Sequence, residues 1–275
     1  MHNVVANGAK IPAIGFGTYG TAREEMLRTL PAALKAGFRH IDTAQIYHNE
    51  IDVGECVASS GVPRSEIFLT TKVWVANYPE GRFASSVDQS LRNLRTDYID
   101  LLLLHWPHEG VPLADQIGLL NETVKSGKVR HIGVSNFNRR LLDQAIGLSA
   151  APLVTNQFEY HPYLNQSLIA GATRHAGLAV TAYCAMAVGR VLGDPTLAEI
   201  AATHGRSIPQ VVLRWLIQQD GVVALSRTTN PNRLAENLTV FDFELGDDEM
   251  AAIQTLAEPN GRIVSPPGLA PAWDP

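Results

Sequence analysis

Ile99-Asp100-Leu101-Leu102-Leu103-Leu104-His105 is an apolar, strand-like run that ends on a side chain able to donate or accept a hydrogen bond. The same construction recurs five more times. Residues 38–41 run into Asp42, 67–71 into Lys72, 132–135 into Asn136, 153–156 into Gln157 and 178–182 into Tyr183. Successive ends lie about 21 to 33 residues apart, close to the length of a βα unit. A repeat of strand, chemical residue and helix predicts a (β/α)8 TIM barrel, which carries its site at the C-terminal ends of its strands.

Working outward, Asn7-Gly8 between two short apolar stretches predicts a β-hairpin ahead of the first barrel strand at 13–17. The hairpin is placed to plug the barrel's lower end. A helix over 23–36 stops at Gly37, a residue suited to a helix C-terminus. Strand and helix then alternate through strands at 39–42, 68–72, 99–104, 131–134, 153–156, 178–183 and 222–225. One further C-terminal helix, 247–257, lies outside the repeat, and the Pro- and Gly-rich tail from Glu258 reads as a packed irregular segment. With 275 residues, the expectation is a single barrel domain over 1–275.

Composition narrows the function classes. The formal net charge of -5 and the lack of a Lys/Arg-rich block argue against nucleic-acid binding. Two cysteines, Cys56 and Cys184, make no disulfide framework. No run has the length of a membrane span, and residues 1–10 lack the apolar core of a signal peptide. A cytoplasmic protein, monomeric and away from membranes, is expected. No His/Cys/carboxylate cluster has metal-ligand spacing.

Asp42, Lys72 and His105 end three of the runs, and Tyr47 follows Asp42 by five positions in the loop above. Together they make a proton-transfer site. A tyrosine with its ordinary pKa near 10 holds its proton tightly. A neighbouring ammonium favours the phenolate, Asp42 neutralises Lys72, and His105 can donate to a substrate oxygen. Taken singly, each residue has a plainer reading: a capped core histidine, a solvated lysine, an aspartate turn. Trp106 and Tyr183 also fit ordinary core aromatics, and His108 and His161 fit structural roles better than catalysis. Four different residue types falling in order at the barrel mouth outweigh these plainer readings.

The stretch Gly37-Phe38-Arg39-His40-Ile41-Asp42-Thr43-Ala44-Gln45-Ile46-Tyr47 resembles the aldo-keto reductase signature. Thr70-Thr71-Lys72-Val73-Trp74, His105-Trp106-Pro107 and Gly133-Val134-Ser135-Asn136-Phe137 resemble later motifs of that family, in its order. The tail from Arg262 to Asp274 is similar to that of its short bacterial 2,5-diketo-D-gluconate reductase B type. The resemblance implies NADPH-dependent reduction of a carbonyl to an alcohol. Tyr47 would be the general acid, with Asp42, Lys72 and His105 completing the catalytic set. Ser135, Asn136 and Gln157 would hold the nicotinamide carboxamide, and Tyr183 would stack beneath its ring.

There is no Gly-x-Gly-x-x-Gly after a strand. The resemblance instead directs the adenosine phosphate to Arg227, Thr228 and Arg233, with Glu236 and Asn237 at the adenine. Ser226-Arg227 stands where the family usually has Pro-Lys, and Cys184-Ala185-Met186-Ala187 follows Tyr183 where many relatives have Ser-Pro-Leu. Tyr19, Trp74 and Trp106 match substrate-pocket positions, together with Asn136. A short loop after His105 predicts an open mouth and small carbonyl substrates: aldehydes, ketones, α-dicarbonyls of the methylglyoxal kind and keto-sugars. Two rivals remain: a cofactor-binding regulatory module with little turnover, and a barrel isomerase or aldolase using Lys72 as a Schiff-base amine.

Overall fold

A computed structural model of the chain describes residues 2–275. Strands β1 (Asn3–Ala6) and β2 (Ala9–Pro12) form the antiparallel hairpin. Its turn residues Asn7 and Gly8 both have positive φ, 44° and 90°, as a tight hairpin turn requires. Eight further strands close a parallel barrel: β3 (Ile14–Gly17), β4 (His40–Asp42), β5 (Phe68–Val73), β6 (Ile99–Leu104), β7 (Val129–Ser135), β8 (Leu153–Glu159), β9 (Ala179–Tyr183) and β10 (Val222–Ser226). They follow chain order around the ring, and β10 pairs with β3 to close it. The (β/α)8 expectation stands.

The helices between them are α1 (Arg23–Ala36), α2 (Glu50–Ser59), α3 (Glu80–Asn93), α4 (Leu113–Lys125), α5 (Arg139–Leu148), α6 (Ser167–His175), α7 (Pro195–His204), α8 (Ile208–Gln218) and α9 (Asn232–Leu238). The extra helix is α10 (Asp247–Gln254). Local signals set their ends. Gly37 takes φ 114° and its N–H reaches Ala33 O and Leu34 O, a left-handed cap that a side chain would strain. Asn138 caps α5 by accepting the Leu141 N–H, and Asp194 caps α7 by accepting that of Leu197.

Two core layers result. Strand faces turned outward pack on the helices, with Phe158, Tyr160 and Trp215 among the large buried rings. Inside the lower barrel, Leu101, Leu103, Val154, Ala179 and Val223 pack against Val4, Ala6, Ala9 and Ile11 of the hairpin. The hairpin therefore does plug that end.

Higher in the barrel the filling turns polar. His40 Nε2 lies 3.1 Å from Thr70 Oγ1, and Thr155 Oγ1 lies 2.8 Å from Thr181 Oγ1. Side chains two apart share a strand face. Asp42 thus stands above His40, Lys72 above Thr70, Gln157 above Thr155, Tyr183 above Thr181, and His105 above Leu103.

One boundary departs from expectation in a way that matters. β8 continues three residues past Asn156, because Gln157, Phe158 and Glu159 pair with Thr181, Ala182 and Tyr183. Gln157 lies within the strand, and Glu159 ends it.

Candidate active site

Lys72 is fully buried, and its ammonium is placed among three acceptors. Nζ lies 2.5 Å from Asp42 Oδ1, 2.9 Å from Thr43 O and 3.5 Å from Tyr47 Oη. Burial pulls the Lys72 pKa below its ordinary value, with Asp42 opposing that pull. With acceptors on three sides, the amine has no open lone pair to attack a carbonyl, which disfavours the Schiff-base rival.

Tyr47 is carried by a short 3₁₀ turn, Gln45–Tyr47, directly after β4. Its ring meets His105 edge-on at 5.6 Å and Tyr19 at 5.0 Å. Here one expectation is corrected. Lys72 does not bring the phenol toward neutrality: burial first, then the charge of Asp42, hold the Tyr47 pKa well above 10. Asp42 already neutralises Lys72, so desolvation dominates. The phenol is held protonated, as a donor must be.

His105 is wedged between Tyr47 and Trp74, whose ring lies 5.4 Å away. Burial, then the charge of Lys72, hold its pKa well below 6.5, so the ring is neutral at neutral pH. Its Nδ1 is buried without a partner.

Ser135, Asn136, Gln157 and Tyr183, expected from the sequence to face the nicotinamide, form one network beside this group. Ser135 Oγ donates to Gln157 O at 2.8 Å, and Asn136 Nδ2 donates to His105 O at 3.0 Å. Tyr183 Oη donates to Asn136 Oδ1 at 2.7 Å, and Gln157 Nε2 to Asp42 Oδ2 at 2.8 Å. Asn136 adopts φ 63°, a left-handed conformation that asparagine tolerates.

On the neighbouring β10–α9 rim, Arg227 is exposed and donates to Gly20 O at 3.0 Å. Thr228 Oγ1 accepts the Asn230 N–H at 3.1 Å. Asn237 is buried and donates to Ser226 Oγ at 2.8 Å. Glu236 accepts from Ser207 Oγ, tying α9 to the start of α8. Arg233 is exposed.

The pocket side differs from the simple open mouth expected. Tyr19 is 69% exposed, Trp74 half-buried, but Trp106 only 5% exposed. The tail covers Trp106: the ring of Trp273 lies 6.2 Å from it, and the Arg262 guanidinium stacks on Trp273 at 3.7 Å. Glu159, Arg262 and Trp273 are mouth residues that the strand-end pattern did not flag. The one sequence signal for Glu159 is a charged residue directly after the apolar Phe158, two positions beyond Gln157.

Among the described residues no group of His, Cys, Asp and Glu is arranged to hold a metal ion, and no helix is long and apolar enough to cross a membrane.

A parallel barrel with Asp, Tyr, Lys and His gathered at its C-terminal mouth defines a class of oxidoreductase folds, and the comparisons agree with it. The Aldo/keto reductase family profile matches residues 13–258. The chain is 40% identical to methylglyoxal reductase DkgB of Salmonella typhi over 96% of this chain and 99% of that protein. It is 40% identical to morphine 6-dehydrogenase of Pseudomonas putida over 91% of this chain and 89% of that protein. A crystal structure described as a 2,5-diketo-D-gluconic acid reductase B shares 57% identity and a TM-score of 0.99, covering 100% of this chain and 98% of that one. The aldose reductase of Schistosoma japonicum shares 31% identity and a TM-score of 0.87, covering 94% of each chain.

The protein belongs to the aldo/keto reductase family. That family comprises carbonyl reductases using NAD(P)H, and this chain is one of its barrels.

Proposed function

We propose that this chain, as one catalytic domain, is an NADPH-dependent reductase of small aldehydes, ketones, α-dicarbonyls or keto-sugars, with Tyr47 as the general acid. The observation that carries the reading is the cluster of buried Lys72, Asp42 and His105 around half-buried Tyr47 at the barrel mouth. The reductases it is similar to, named for methylglyoxal and 2,5-diketo-D-gluconic acid, support this substrate class.

The residues present fit a phosphorylated dinucleotide. Arg227 and Arg233 are both exposed at the β10–α9 rim, so two guanidiniums border it. Guanidinium forks suit a phosphate dianion. Ser135, Asn136 and Gln157 would hold the carboxamide end, and Tyr183 would lie beneath the ring. Thr18 Oγ1, beside the Asp42 backbone, is a buried hydroxyl without a partner. When bound, the cofactor supplies the hydride, which is its own chemistry.

The chain supplies the proton and the electrostatics. Neutral His105 donates a hydrogen bond to the substrate oxygen, fixing the carbonyl beside Tyr47. As negative charge develops on that oxygen, Tyr47 Oη gives up its proton. Lys72 Nζ, 3.5 Å from Tyr47 Oη, stabilises the phenolate left behind. Asp42 holds Lys72 in place, and Gln157 holds Asp42. The test is NADPH oxidation over a panel of small carbonyls, repeated with NADH. Turnover with methylglyoxal-like compounds supports the reading. Cofactor binding with no carbonyl-dependent oxidation would replace it with the regulatory-module reading.

A further inference from the structure

Glu159 is a carboxylate with no exposed surface, outside the proton-transfer group. A buried charge of this kind is strongly disfavoured unless it is paired and hydrogen-bonded. Its partners define a purpose. Oε1 accepts the Ile263 N–H at 2.7 Å, and Oε2 accepts the Val264 N–H at 2.9 Å. His161 Nε2 lies 2.9 Å from Oε1, and Arg262 Nη1 lies 3.7 Å from Oε2. Two of these four partners are main-chain groups of the tail, more than 100 positions away in sequence.

The tail is seated on both sides of this contact. Upstream, the Glu258 N–H reaches Tyr163 O at 3.0 Å. A Cβ at Gly261 would fall 1.7 Å from that same carbonyl oxygen, so only glycine permits the approach. Downstream, Asn138 Nδ2 donates to Ala272 O at 2.8 Å, and Asp274 accepts the Arg139 N–H at 2.9 Å. Between the anchors, Trp273 lies over Trp106, the residue after His105. Arg262 stacks on Trp273 while facing Glu159. The chain from Glu159 to the mouth is therefore short: carboxylate, Arg262, Trp273, Trp106.

We propose that Glu159 is a positioning residue whose buried carboxylate latches the C-terminal tail across the barrel mouth and thereby sets the affinity for the carbonyl substrate. It touches neither the reacting atoms nor the proton donor. It acts through the main chain of Ile263 and Val264. Because it sets a wall of the mouth, its loss is felt in substrate binding more than in the chemical step.

The proposal rests on the reductase reading above, and the experiment separates the two. In Glu159→Gln, one of the two carboxylate oxygens becomes an NH2 donor, so in the present geometry one of the two tail N–H groups loses its acceptor. The KM for a small carbonyl should rise about tenfold, the scale of a lost charge-assisted hydrogen bond. kcat should stay within about threefold, and NADPH affinity likewise, as expected when uniform binding alone is lost. Amide hydrogen exchange at Ile263 and Val264 should accelerate by about a hundredfold, local opening being independent of the barrel strands. Val264→Pro removes one of the two donors from the tail itself, leaving the carboxylate in place, and should raise KM in the same direction. If Glu159→Gln fails to fold, Val264→Pro alone reads the proposal. An unchanged KM in a folded variant, or a loss of kcat with KM unaltered, overturns the latch. A wild-type protein without carbonyl turnover overturns the reductase reading and the latch's substrate role with it. Turnover in the wild type with no KM effect in either variant overturns the latch alone.

Discussion

Gln157 Nε2 donates to Asp42 Oδ2 at 2.8 Å across the barrel mouth. Their strands, β8 and β4, stand four places apart in the ring of eight. The other oxygen of Asp42 holds Lys72 at 2.5 Å. One carboxylate thus joins the proton-transfer group to the residues proposed for the nicotinamide. Disturbing either side is expected to disturb the other.

The Lys72–Asp42 pair should be costly to break singly. Asp42→Leu leaves a buried ammonium without its counter-charge and should destabilise the fold by about 3–5 kcal/mol. The double variant Asp42→Leu with Lys72→Met removes both charges and should recover most of that loss, while carbonyl reduction stays abolished. Urea unfolding with parallel activity assays checks this. A double variant no more stable than the single one contradicts it.

Stability should fall on mild acidification, before carboxylates titrate. Burial pulls the His40 imidazole down to about 4. In the unfolded chain it protonates near 6.5. Its contribution is therefore complete above pH 6.5 and is lost as pH drops from 6.5 toward 4, by about 3 kcal/mol at the lower end. His105, also depressed, acts with the same sign. Glu159 acts lower still: burial pushes its pKa up, but hydrogen bonds from His161, Val264 and Ile263 bring it below 4.5. Its share is present above the ordinary carboxylate value and lost as pH falls through the depressed one. Unfolding free energies between pH 7 and 4 should show a shallower slope in His40→Gln than in the wild type. Equal slopes would rule His40 out.

Cofactor choice should reside at the β10–α9 rim. Arg233→Ala should weaken NADPH by about tenfold or more, the scale of a lost charge-assisted contact, and change NADH far less. Fluorescence titration with both nucleotides reads this. Equal losses would move the 2′-phosphate contact elsewhere.

Much of this was legible from residues 38–183 because parallel barrel strands are buried on both faces and their last inward side chain meets the mouth. Asp42, Lys72, His105, Gln157 and Tyr183 all announced themselves in that way. The Tyr47 pKa was not legible, since its direction depends on burial set by Tyr19 and His105 from other segments. The tail was not legible either. Residues 258–275 have no periodicity to read, and what holds them is a carboxylate more than 100 positions upstream. The contact that covers Trp106 was not legible, because Trp273 lies so far along the chain.

Tyr47→Phe tests the central claim most directly. The variant keeps the ring against His105 and removes only the hydroxyl. With a small dicarbonyl and NADPH, kcat should fall by about 10²–10⁴-fold, the usual worth of a general acid. NADPH affinity, read by fluorescence quenching, should change by less than about threefold, as for a group acting only in the transition state. A kcat within a few-fold of the wild type would contradict Tyr47 as the proton donor.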